Sequence, residues 1–170
     1  MVSAFDKAVD LLSRRDHFPA ELAEKLRRRG YSGEEIAEAL GRCRELGYLD
    51  EERLARRFVE VRAVQRGWGP RRLRAELQRR GAPREVAEAA SELGEELLGA
   101  ALETALARAE RGRRAGWWAL PEERARMVSS LVNRGFGTHT AMEAVERLAR
   151  RRETESHASH DERGDPPELP

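Results

Sequence analysis

One cysteine, Cys43, is all this chain has, so no disulfide can form within it, and a reducing compartment, the cytoplasm, is the expected setting. Long apolar runs are also missing. No window reaches the length of a membrane span, and no basic segment followed by an apolar stretch opens the sequence. Aromatic residues make up only 5%, β-branched runs are few, and period-two alternation of useful length is absent, which excludes sheet architectures and leaves an all-α fold. Catalytic groupings are lacking as well. The segment Gly67-Trp68-Gly69-Pro70-Arg71-Arg72 has no third glycine, no preceding strand and no Gly-Lys-Ser/Thr, so it is not a nucleotide-phosphate loop. His17, His139, His157 and His160 do not combine with Cys43 in any zinc spacing, and His157, His160 and Asp161 read as solvated residues of a polar tail or at most a weak metal site. The carboxylate pairs Glu34-Glu35 and Glu122-Glu123 fall in first helical turns, where the helix dipole accounts for them. The chain is therefore expected to be no enzyme and to hold neither cofactor nor structural metal.

What is present is helix punctuation. A first helix from about Ala4 to Arg15 carries Ala8, Leu11 and Leu12 on one side and ends at Asp16-His17-Phe18-Pro19. Pro19 opens a second helix with Leu22 and Leu26 inward, and Gly30 suits a left-handed residue just past its end. Ser32 and Glu35 form a capping box for a third, whose stripe is Ile36, Leu40 and Cys43. Asp50 caps the next helix, where Leu54, Phe58 and Val61 are expected to face inward. Gly67-Trp68-Gly69 breaks it, and Pro70 starts another with Leu73 and Leu77.

This plan recurs. Pro19, Pro70 and Pro121 are 51 residues apart, and Gly30, Gly81 and Gly135 are 51 and 54 apart, with Leu22/Leu26, Leu73/Leu77 and Met127/Leu131 at matching offsets. The expected architecture is three tandem three-helix repeats, over residues 1–47, 48–93 and 94–150, forming an elongated, curved body, followed by an acidic disordered tail over 151–170. Units of this size bury marginal cores alone, so neighbours should lean on one another.

A net charge of +1 hides strong segregation. Residues 51–80 hold ten cations against four acids, and 81–104 hold one against six. All cations but Lys7 and Lys25 are arginine, whose planar fork suits phosphate and carboxylate; a compositional bias of the genome would leave the same mark. From Arg62 to Arg80 only Glu76 offsets Arg62, Arg66, Arg71, Arg72, Arg74, Arg79 and Arg80. With Arg57 and Trp68 these are the candidate contacts for a partner or DNA, the alternative being a solvated face. Trp68 fits a hydrophobic staple with Leu73, or base stacking, an alternative it shares with Trp117 and Trp118.

The words Gly-Tyr-Leu-Asp-Glu-Glu-Arg-Leu-Ala-Arg-Arg-Phe-Val at 47–59 and Gly-Pro-Arg-Arg-Leu-Arg-Ala-Glu-Leu-Gln-Arg-Arg-Gly at 69–81 resemble the central signature of bacterial RecX regulators, and Leu-Leu-Ser-Arg-Arg-Asp-His at 11–17 continues the likeness. Phe18-Pro19 departs from the small polar helix start expected there, and the third repeat shares little beyond Asn133-Arg134-Gly135-Phe136. The resemblance implies a non-enzymatic, cytoplasmic, monomeric modulator that lies in the groove of the RecA recombinase filament on single- or double-stranded DNA. It would suppress ATPase, strand-exchange and coprotease activities and so modulate recombination, DNA repair and the SOS response. Arg71, Arg72 and Arg74 would then contact RecA or DNA phosphate. Two other readings stay open: a helix-turn-helix DNA-binding module acting independently of RecA through the helix from Pro70 to Arg80, and a helical-repeat adaptor for another acidic protein.

Overall fold

In the computed structural model, which describes residues 2–161, each proline-to-glycine frame of the sequence is the middle helix of a three-helix unit. The first unit comprises α1 (Ala4–Arg14), α2 (Pro19–Arg27) and α3 (Gly33–Glu45). The second comprises α4 (Glu51–Arg66), α5 (Pro70–Arg79) and α6 (Arg84–Ser91). The third has α7 (Glu95–Glu110), a short 3-10 turn (Trp117–Ala119), α8 (Pro121–Asn133) and α9 (Thr138–Asp161). No strand occurs among the described residues, and none of these helices is long and apolar enough to cross a membrane.

Local chemistry sets the helix ends. The Ser3 hydroxyl accepts from the Asp6 amide at 3.1 Å, and the Asp50 carboxylate accepts from the Arg53 amide at 2.9 Å. The expected capping box at α3 is complete, with Glu35 N donating to Ser32 Oγ and Ser32 N to the Glu35 carboxylate. Each middle helix closes on a glycine at positive φ: 89° at Gly30, 84° at Gly81 and 96° at Gly135. The next residue then donates back to Leu26, Leu77 or Leu131, so the frame recognised in the sequence is a repeated left-handed helix stop.

The units are joined unequally. The first keeps its own core of Ala8, Leu11, Leu22, Leu26, Ile36, Cys43 and Leu49. The second and third share one continuous core, in which Leu73, Leu77, Met127, Leu131 and Phe136 are fully buried. Among the described residues of the first unit only Phe18 reaches into it, so this departure from a polar helix start is a packing plug between units. The helices of the first unit pack on one another and those of the third on the second, an end-to-end order that makes the body elongated.

Two expectations are corrected. The inward face of α4 is Ala55, Val59 and Ala63, while Leu54 and Phe58 lie at its edge and Val61 is 41% exposed. The helix has turned its small side chains toward α7, where Ala101 and Ala105 are also fully buried, and backbones approach closely only across such residues. The tail does not begin at residue 151, because α9 continues to Asp161. Arg152 holds that extension by gripping the Glu110 carboxylate at 2.6 and 2.7 Å and reaching Glu155 at 2.7 Å. The remainder of the expected disordered tail, residues 162–170, lies outside the described residues.

Candidate anion-binding groove

The second and third units meet backbone to backbone. Gly69 N donates to the Arg134 carbonyl at 2.8 Å and Arg71 N to the Gly135 carbonyl at 3.1 Å, so the turn before α5 lies on the turn after α8. Neither glycine has room for a side chain. A Cβ on Gly69 would stand 2.6 Å from the Gly135 carbonyl carbon, and one on Gly135 would strike the backbone of Arg72. The carbonyls at the end of α4, which a helix leaves without internal partners, are satisfied from the third unit: Val64 by Thr104 Oγ1 at 2.9 Å, Gln65 by Arg108 at 2.9 Å and Arg66 by Arg134 at 3.0 Å.

This junction leaves an open groove of about 930 Å³, to which the second unit contributes Arg62, Arg66, Trp68 and Arg72 and the third Arg108, Arg126 and Arg134. No carboxylate lines it. Arg126 pairs with Glu123, whereas Arg62, Arg66, Arg72, Arg108 and Arg134 have no acidic partner among the described residues. Burial, followed by the charges of Arg108 and Arg72, holds the Arg134 guanidinium below the usual arginine range. Such an arrangement attracts anions.

Aromatic rings hold two of these cations, Arg62 and Arg72, where carboxylates do not. The Arg72 guanidinium lies 4.4 Å from the Trp68 ring centroid, and Arg62 lies 5.6 Å from Trp68 and 5.5 Å from Phe58. Phe58 also carries Arg80 at 5.0 Å, and the two rings are 6.4 Å apart. Arginine and aromatic rings therefore alternate along one edge of the second unit.

Of the residues singled out in the sequence, Arg62, Arg66, Trp68 and Arg72 come together in the groove. Arg71 and Arg74 are exposed on α5 outside it. Arg79 and Arg80 grip Glu76 at 2.6 and 3.0 Å and hold its carboxyl down at about 2; they line a separate recess with Arg15 and Glu21, which also pair. Arg57 borders another recess with Leu12, His17 and Leu49. Trp117 is buried with its Nε1 donating to Glu110 at 3.2 Å, which removes it as a stacking platform. Among the described residues no group of three or more His, Cys, Asp or Glu is placed to hold a metal; the His160 and Asp161 side chains lie outside what is described. Sequence reasoning missed Arg108, Arg126 and Arg134. Only Arg134 had a signal, since it precedes the third stop glycine as Arg80 precedes the second.

The chain matches the family models described as RecX, first three-helix domain, over residues 4–43, and RecX, second three-helix domain, over residues 50–90. It is 43% identical over 137 residues to Regulatory protein RecX of Thermus thermophilus, covering 81% of this chain and 86% of that one. It is 38% identical over 141 residues to Regulatory protein RecX of Pseudomonas entomophila, covering 83% and 86%. The fold is similar to that of the crystal structure of RecX from Lactobacillus salivarius, with a TM-score of 0.73 at 19% identity over 86% of this chain and 94% of that one. A second structure, of a regulatory protein RecX, gives a TM-score of 0.72 at 18% identity over 85% and 71%. Since the Thermus protein is 43% identical over 81% of this chain and the two family models match its first and second units, the chain belongs to the RecX family of regulatory proteins.

Proposed function

We propose that this protein is a cytoplasmic regulator that binds the RecA recombinase filament on DNA as a monomer and inhibits its ATPase, strand-exchange and coprotease activities, with the arginine groove as a principal contact. The observation that carries the contact assignment is the gathering of five unpaired arginines from two units into one groove without a carboxylate. Cations left unneutralised repel one another, a cost that an anionic partner offsets. The helix-turn-helix alternative requires the start of α5 to enter a DNA groove, yet that end is docked on Arg134 and Gly135.

The test is a titration of the protein into RecA hydrolysing ATP on single-stranded DNA. Inhibition at stoichiometric amounts is expected, and its absence would refute the regulatory reading. The triple variant Arg62→Glu/Arg66→Glu/Arg72→Glu should lose inhibition at unchanged helicity, whereas Arg71→Glu/Arg74→Glu isolates the exposed face of α5. Full inhibition by the first variant removes the groove from the mechanism.

A further inference from the structure

Arginines are held in place in two ways on the second unit. Arg79 and Arg80 are pinned by Glu76, which cancels charge as it fixes position. Arg62 and Arg72 are pinned by Phe58 and Trp68, and an aromatic ring fixes a guanidinium while leaving its full positive charge to act outward. Trp68 is half-buried against the shared core and meets Phe58, Arg62 and Arg72. A nucleobase would have to lift Arg72 to stack on it. Few groups of the lining suit base reading: no carboxylate is present to accept from a base amino group, the Ser129 hydroxyl donates to the Ala125 carbonyl, and Asn133 is the one amide beside six arginines.

We infer that the groove binds the phosphodiester backbone of a nucleic acid without reading its bases, and that Phe58 and Trp68 are positioning residues for the arginines. This rests on the proposed use of the groove as a contact surface, and it names what the groove touches there. The aromatic rows of single-strand binding proteins take up bases directly. Here the rings already carry guanidinium groups. Both rings serve charge placement, so affinity follows the number of phosphates and is indifferent to whether bases are attached.

The experiment is fluorescence anisotropy of the full chain with a labelled single strand and with an abasic strand of equal phosphate count, at matched ionic strength. The two affinities should agree within about two-fold, since the phosphate contacts are the same. Trp68→Leu should weaken both strands alike, by about five-fold for two lost cation–π contacts, and Trp68→Phe should recover most of that. Circular dichroism and the melting temperature of each variant separate loss of positioning from loss of fold. An abasic strand bound ten-fold or more weakly, a Trp68→Leu defect confined to the base-bearing strand, or failure to bind either strand would overturn the inference. A groove that binds both strands while Arg62→Glu/Arg66→Glu/Arg72→Glu still inhibits RecA would instead leave base-blind binding standing and remove the groove from the inhibitory contact.

Discussion

Gly69→Ala tests whether the groove depends on the docking of two units. Gly69 has φ −85° and ψ 169°, a conformation open to any residue, so alanine brings no backbone strain of its own. Its methyl would instead stand 2.6 Å from the Gly135 carbonyl carbon and the Phe136 nitrogen, backbone atoms that cannot step aside. Relieving the clash means separating the two turns, which lengthens the Gly69 to Arg134 and Arg71 to Gly135 hydrogen bonds. Two bonds at about 1 kcal/mol each, with an overpacking cost of about 1–3 kcal/mol, give a loss of about 3–5 kcal/mol. Gly30→Ala is the control: Gly30 has φ +89° with nothing within 4 Å of its added Cβ, so only left-handed strain of about 1–2 kcal/mol applies. Urea unfolding of both variants compares these costs, and anisotropy with a labelled single strand reads the groove. Gly69→Ala should be the more destabilised and should lose strand binding, while Gly30→Ala binds as the parent does. A Gly69→Ala protein as stable as Gly30→Ala, with binding intact, would show that the dock is not what assembles the groove.

Salt dependence gives a second measure. Five unpaired arginines on a single strand predict a slope of log affinity against log salt of about −3.5, falling to about −1.4 in Arg62→Gln/Arg66→Gln/Arg72→Gln and staying near the parent value in Arg79→Gln/Arg80→Gln. Removing Arg152 by Arg152→Ala should cost about 1 kcal/mol, since the group is one-third exposed. Hydrogen exchange should quicken from residue 151 to 161 without change in α8. His17 is 2% exposed, and its Nδ1 lies 3.4 Å from Glu21 without hydrogen-bond alignment. Burial, then Arg15, pushes its pKa below 6.5, so the neutral ring is the native one. Its contribution is fully present above the unfolded value and is lost as pH falls from there toward the lowered folded value. The urea midpoint should therefore drop as pH falls below the unfolded value of 6.5, and His17→Gln should flatten most of that drop.

Helices and their stops were legible because they rest on local chemistry. Capping by Ser32 and Asp50, prolines at helix starts and glycines at positive φ act over a few residues, and their spacing carried the three units with it. The inward face of α4 was not legible in the same way. Large apolar residues suggested Leu54, Phe58 and Val61, but the neighbour was Ala101 and Ala105 on α7, and close packing selected Ala55, Val59 and Ala63. That preference lies in a contact 40 or so residues away and leaves no mark on α4 read alone. The arginine run shows the same limit. Its charge was visible, but its division into groove, open helix face and Glu76-paired recess follows from helical phase and from a second turn contributed by the third unit. The extension of α9 depends on Glu110, and composition alone had marked those residues as a tail.

Groove and dock are one thermodynamic unit. Arg134 sends its guanidinium to the Arg66 carbonyl and its own carbonyl to Gly69, so it fastens the two units and lines the groove at once. Arg108 likewise caps Gln65 and lines the groove. The dock therefore assembles like charges, whose repulsion opposes the contact that collects them; burial first, and then the charges of Arg108 and Arg72, lower the affinity of Arg134 for its proton. An anion in the groove removes that opposition. Since it binds the docked form and finds no such cluster once the units part, it must stabilise the dock in proportion to its affinity. The first unit stands outside this coupling, with a separate core and Phe18 as its plug into the shared one. Binding is thus expected to stiffen the second and third units together and to leave the first as an arm whose contacts add affinity without altering the groove.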